Sequence, residues 1–309
     1  MLLDIDLYGG QHLNLPRLIS FPRLKILQLS EISVFRERNI QQLFSNCPVL
    51  EELCLKYCLL NHLNIISSTL KSLTFVSSLH MCMSDINIMI DAPNLISITV
   101  HDNIPQHLVV ERFPSLVDAD IHRMFTEPDV LIDVIPNFVK KLSNVKQLKL
   151  WDFIFEKLEL ADVLDTSFPT FNNLITLEVS FIKTQHVKSL FTFLRFSPNL
   201  ESLVFGCVSC WDEVNEDALT LDVVPHCLLM HLKSIKFQDF EGQSKELDLV
   251  QLFLQNSRVL QTVIIEHSSV DSETRTKKDV EDLNKKIMEQ LLMYKWASTE
   301  CVINLSSSP

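Results

Sequence analysis

One pattern recurs so often that it decides what this chain can fold into. Asn46-Cys47-Pro48-Val49-Leu50-Glu51-Glu52-Leu53-Cys54-Leu55 sets Leu50, Leu53 and Leu55 at the spacing L-x-x-L-x-L. A short strand over such a stretch turns Leu53 and Leu55 to one face and Glu52, Cys54 and Lys56 to the other. The first leucine-type position returns at Leu24, Leu50, Leu70, Leu95, Leu116, Val145, Leu174, Leu200, Leu232 and Leu260, ten copies at steps of 20 to 32 residues. In a chain with 47% hydrophobic residues a single match would carry little weight. Ten in series, most of them introduced by Pro, Ser or Asn, do not arise by chance.

Nearly all of those steps lie inside the roughly 20–29 residue period of leucine-rich repeats. The expected fold is α/β: a leucine-rich-repeat solenoid, or horseshoe, with a parallel concave sheet and irregular helices on its convex side. A stack in which each repeat touches only its neighbours can absorb all 309 residues without a domain break. Helical spacing is visible at Ile40, Leu43 and Phe44, at Val187, Leu190, Phe191 and Leu194, and at Leu247, Val250, Phe253 and Leu254. The third to fifth copies lie closer together and show no such run, so turns or short 3₁₀ pieces are expected on their convex side. Residues 129 to 142 read as apolar and partly helical, with Pro136 as a kink or boundary. From 274 to 296 an amphipathic helix carries Val280, Leu283, Ile287, Met288 and Leu291 on one face, to cap the stack or to bind a partner helix, the cap being the preferred reading. Alternation at 301–305 predicts a last strand. At the other end Leu3, Ile5 and Leu7 alternate before Gly9-Gly10, so the sequence reads as opening inside a repeat already under way.

Charge narrows the partners. Lys plus Arg number 27 against 39 for Asp plus Glu, a formal charge of -12, which argues against nucleic acid and for a protein target with a basic surface. No apolar run is long enough to span a membrane, and the first residues lack the basic n-region of a signal peptide. Cytoplasmic or nuclear location is therefore expected. Eight cysteines in and beside the strands read as small buried hydrophobes. Cys207-Val208-Ser209-Cys210 could be half a zinc site or a redox pair, but nothing completes a tetrahedron, and a structural cysteine at a strand end is the preferred account. With only four glycines there is no phosphate-cradling loop, and neither G-x-S-x-G nor H-E-x-x-H occurs. No cofactor, metal or catalytic residue is expected.

The repeat register assigns an outward face. Near the middle of the series it brings forward His101, Asp118, Asp120, His122, Lys149, Trp151 and Glu178 as neighbours on one concave surface. A Trp ringed by charges has the composition of a protein-binding hot spot; a solvated sheet face is the alternative.

From Val224 onward the sequence resembles the FBD domain of plant F-box/LRR/FBD proteins. Val224-Pro225-His226-Cys227-Leu228-Leu229-Met230-His231-Leu232-Lys233 follows that family's V-P-x-C-L-L-x-x-L-K run, and the likeness continues through Phe240-Glu241-Gly242, residues 245–250 and 254–260, Leu291-Leu292 and Ala297-Ser298. Upstream, the stretch from Asn46 and Leu142-Ser143-Asn144-Val145-Lys146-Gln147-Leu148 look like the family's repeats. The resemblance implies repeats over 1–215 and an FBD-like domain over 216–309 that continues the stack. It implies the substrate-recognition part of an SCF-type E3 ubiquitin-ligase adaptor, without catalysis of its own. The helical F-box signals of such proteins are not found in this sequence, so a Skp-type adaptor is expected as partner only of a form with an F-box upstream. A stand-alone scaffold or competitor, or a truncated gene product, is the alternative.

Overall fold

A computed structural model describes residues 1–6, 20–32, 43–58, 62–77, 87–102, 107–111, 113–122, 133–161, 164, 168–209, 221–267 and 277–307. Gly9-Gly10, Ile40, Cys210 and the 215/216 boundary lie outside them. The chain forms two compact units, Met1–Val145 and Lys146–Pro309.

Each repeat begins with a turn that the sequence encodes. The N–H of the first leucine donates to the carbonyl three residues back, as in Leu50 to Cys47 (3.2 Å) and Leu95 to Ala92 (3.1 Å). The next two N–H groups share one carbonyl of the preceding repeat: Glu51 and Glu52 both donate to Lys25, Lys71 and Ser72 both to Glu51. The Asn of the Pro-Asn-Leu turns joins neighbours in the same way, Asn94 Nδ2 donating to Ser68 O at 2.7 Å and Asn199 Nδ2 to Asn172 O at 2.9 Å.

In the first unit the strands are β1 (Leu2–Asp6), β2 (Ile26–Ser30), β3 (Glu52–Lys56), β4 (His62–Ile66), β5 (Ser72–Val76), β6 (Asn87–Asp91), β7 (Ser97–His101), β8 (His107–Val110) and β9 (Asp118–His122). β1, β2, β3, β5, β7 and β9 form one parallel sheet in strict register. Leu27, Leu53, Leu73, Ile98 and Ala119 make one inward row; Leu29, Leu55, Phe75, Val100 and Ile121 make the next. A buried leucine of this kind is worth about 1.5–3 kcal/mol, and a one-residue slip would turn the whole set outward, which is what holds the register.

The convex side of these closely spaced repeats is a second parallel sheet, β4-β6-β8, rather than turns or 3₁₀ pieces. His62-Leu63-Asn64-Ile65 alternates at period two, Ile88 and Ile90 fall on one face of a strand, and a step of 20 to 25 residues is too short for a helix plus its return. Leu63, Ile65, Ile88 and Ile90 are buried and line, with Leu73, Phe75, Ile98 and Val100 of the other sheet, a void of about 20 Å³. The core of this unit therefore lies between two sheets. Helix α1 (Val134–Lys141) follows and buries Ile135, Phe138 and Val139. Pro136 sits in its first turn, where a missing N–H breaks no helical bond, and so neither kinks nor bounds it.

The second unit contains β10 (Gln147–Leu150), α2 (Asp152–Leu160), β11 (Thr176–Val179), β12 (Ile182–Lys183), α3 (Val187–Arg195), β13 (Ser202–Phe205), β14 (Val208–Ser209), α4 (His226–Met230), β15 (Ser234–Phe240), α5 (Ser244–Asn256), β16 (Thr262–His267), α6 (Lys277–Leu292) and β17 (Val302–Ser307). β10, β11, β13, β15, β16 and β17 pair in parallel in that order. Because β13 pairs with β15, strands from either side of residue 215 share one sheet, and the FBD-like segment continues the stack. Helices α3 and α5 match the spacing read from sequence. Helix α6 stands between β16 and β17 as a crossover within a repeat, burying Ile287 and Leu291, rather than as a lid over the last layer.

Candidate functional site

Strand alternation buries the leucines and leaves the polar residues of the same strands on the outward face, because a carboxylate turned inward would lose its hydration without a partner. In the first unit, register sets Thr99 beside Asp120, Ser97 beside Asp118 and His101 beside His122. His101 Nε2 lies 3.2 Å from Asp120 Oδ2, a diagonal contact between β7 and β9, and the His101 and His122 rings are 5.0 Å apart between centroids. In the second unit Lys149 and Glu178 stand opposite each other on β10 and β11 with Nζ 2.6 Å from Oε1. Trp151 follows β10 as the N-cap residue just before α2, and its ring stacks on Phe181 with centroids 5.5 Å apart.

The seven residues expected on the outward face are thus described in two groups: His101, Asp118, Asp120 and His122 in the first unit, Lys149, Trp151 and Glu178 in the second. All seven are partly exposed. The Lys149–Glu178 pair is about one-third exposed on both sides and is screened by water. Lys149→Ala is therefore expected to change the free energy of unfolding by less than about 1 kcal/mol, read from the denaturant midpoint.

Other polar arrangements escaped the sequence reading. Asp152, the first residue of α2, is 5% exposed and takes hydrogen bonds from His186 Nδ1 (2.8 Å) and the Lys183 N–H (2.8 Å), tying the helix to the turn of the next repeat. Ser189 of α3 donates to Glu159 of α2 in the same interface. Glu246, in the first turn of α5, is 1% exposed; its carboxylate accepts the N–H groups of Gln243 and Glu241 while the Gln243 side chain completes a capping box. The spacing Gln243-x-x-Glu246 before an apolar run is the signal that could have found it. At the strand entrances Glu51 lies between Lys25 (2.6 Å) and Lys71 (2.8 Å), whose hydrogen bonds lower its carboxyl to about 2.

Among the described residues no group of His, Cys, Asp and Glu is placed to hold a metal ion. The six described cysteines are free, and burial pushes the Cys58 thiol to about 11 and the Cys227 thiol to about 12, far from the thiolate a nucleophile needs. Cavities of about 410 Å³, lined by residues from Phe44 to Leu70, and about 430 Å³, between α5 and α6, contain none of the seven. No helix among the described residues is long and apolar enough to cross a membrane.

A family model described as the LRR domain of At1g61320/AtMIF1 matches residues 14–299. Among curated relatives from Arabidopsis thaliana, At5g53635, named as an FBD-associated F-box protein, is 30% identical over 81% of this chain and 61% of its own length. The F-box/FBD/LRR-repeat protein At2g26030 is 29% identical over 82% of this chain and 61% of its own length. The FBD-associated F-box protein At4g10400 is 27% identical over 99% of this chain and 68% of its own length. The chain thus spans about three fifths of the first two of these relatives. No solved structure matches.

Proposed function

The chain belongs to the leucine-rich-repeat family of plant F-box/FBD/LRR-type proteins, and from that premise we propose that it is a non-catalytic recognition module whose outward sheet face holds a protein target. The observation that carries this reading is the face itself: rows of half-exposed Ser, Thr, Asp, His and Lys on a scaffold whose inward rows are fully apolar. Such a face offers polar contacts at fixed spacing and can bind without rearranging. Its role would be geometric. In a longer polypeptide an F-box would dock on a Skp-type adaptor and bring the held target to an SCF-type E3 ubiquitin ligase, with the 216–309 segment extending the recognition surface.

Site-specific photocrosslinking tests the reading. A photoreactive side chain at Thr99, on the outward face, is expected to capture a defined set of plant proteins that the same group at Met230, exposed at the end of α4, does not. Identical captures from both positions would contradict it. The link to the ligase is a separate measurement: a form carrying an F-box is expected to bind a purified Skp-type adaptor one to one, and a folded form that fails to do so would remove the ubiquitin-ligase part while leaving the recognition role.

A further inference from the structure

Several carboxylates on or beside the strands are met by a cation from a neighbouring strand. Glu178 has Lys149 at 2.6 Å, Glu266 has Lys236 at 2.8 Å, and Glu201 has Lys233 at 2.9 Å. Asp120 has His101. Among the described residues Asp4, Glu52, Asp91 and Asp118 of the first unit take part in no ion pair, and two of these are Glu52, which opens β3, and Asp118, which opens β9. Register puts them in one row, Glu52, Ser72, Ser97, Asp118, across β3, β5, β7 and β9. Three strand spacings of about 4.8 Å separate the two carboxylates by about 14 Å. Among the described residues the row between them holds only the short side chains of Ser72 and Ser97, with Thr74 and Thr99 in the next row.

We infer that this row is the docking track for an extended basic segment of the target, with Arg or Lys at two positions four residues apart. An extended chain rises about 3.3 Å per residue and sends every second side chain to one face. Positions i and i+4 therefore fall about 13 Å apart and reach Glu52 and Asp118 together, while i+2 lies over the serine hydroxyls. Two basic residues on a helix would need about nine positions between them to span the same gap. Arginine suits the ends best, because its planar fork meets a carboxylate through two hydrogen bonds, and the net charge of -12 favours approach of a basic segment. This inference rests on the recognition role proposed above and names the chemistry that role would read.

The test uses the full 309-residue chain and a fluorescent peptide, Gly-Ser-Arg-Ser-Gly-Ser-Arg-Ser-Gly, followed by anisotropy. Salt-sensitive binding is expected, weakened about five- to tenfold by Glu52→Gln with Asp118→Asn and by the same amount when the second Arg is moved to i+2; a Glu-for-Arg peptide should not bind. Equal binding by the variant, by the respaced peptide or by the acidic peptide would overturn the inference. A displayed peptide library, counter-selected on Thr99→Arg, separates the two levels. Enrichment of non-basic sequences that need Thr99 overturns the basic segment and leaves the recognition role; enrichment of nothing that depends on Thr99 overturns both. Unchanged thermal melts of the variants confirm that folding is intact.

Discussion

Gly206→Ala is expected to cost the second unit about 3 kcal/mol, although it adds a single methyl group at a position where the backbone angles suit any residue. A Cβ there would stand 2.2 Å from the Ser180 carbonyl oxygen and 2.9 Å from the Ser180 carbonyl carbon and Cα, all main-chain atoms with no rotamer to yield. Neither chain can step aside cheaply. The Gly206 N–H donates to Val179 O at 2.9 Å and the Cys207 N–H to Ser180 O at 3.0 Å, so making room breaks the contacts by which β13 leaves the sheet beside β11. Phe205, fully buried and stacked on Phe237 at 5.0 Å, would be displaced with them. Overpacking of about 1–3 kcal/mol and one or two lost hydrogen bonds of about 1 kcal/mol give the estimate. A urea titration reads it directly; a shift worth less than about 0.5 kcal/mol would show that the two turns can part.

Glu246 supplies the second large effect, through pH. Burial pushes its carboxyl from 4.5 to about 7, outweighing the N–H groups of Gln243 and Glu241 that favour the ionised form, and the Glu241 carboxylate pushes the same way. The folded chain therefore binds this proton more tightly than the unfolded chain. The stabilisation is fully present below about 4.5 and is lost as pH rises through about 7, up to about 3 kcal/mol over that window. Unfolding midpoints taken from pH 5 to 8 should fall in the wild type and run nearly level in Glu246→Gln, whose amide oxygen can still accept from the helix start. Parallel slopes in the two proteins would place the proton elsewhere. Glu51 titrates in the opposite sense and only below 4.5, outside this window.

The leucine rows were legible because two periodicities coincide: alternation along each strand and the turn that opens each repeat at Cys47-Pro48, Pro93-Asn94 or Pro198-Asn199. Helices α3 and α5 were legible for the same reason, since Val187, Leu190, Phe191 and Leu194 can share a face only in a helix. Strands β4, β6 and β8 were not seen, although His62-Leu63-Asn64-Ile65 alternates, because a four-residue apolar alternation is weak against a background of many leucines and valines. Helix α2 was missed for a different reason. Trp151-Asp152-Phe153-Ile154-Phe155 has poor helix formers and no side-chain cap, and its start is held by His186, 34 residues away. Alternation alone set His101, Asp118, Asp120, His122, Lys149 and Glu178 at half-exposed strand positions, whereas Trp151 lies past the end of β10 at the start of α2. Which carboxylate has a cation and which has none depends on register between strands, and the division after Val145 falls inside the sixth copy of the repeat, between Val145 and Leu148, where the sequence pattern is unbroken.

The strict register of the first sheet has a consequence for descent. Stability resides in the inward rows, where Leu53, Leu55, Leu73 and Ile98 are at most 2% exposed, while Ser72, Thr74, Ser97 and Thr99 stand half-exposed on the same strands. Exchanges at such surface positions are usually worth less than about 0.5 kcal/mol. If the outward face has the recognition role proposed above, duplicated copies of this scaffold can therefore drift in what they recognise while remaining the same fold, one strand at a time.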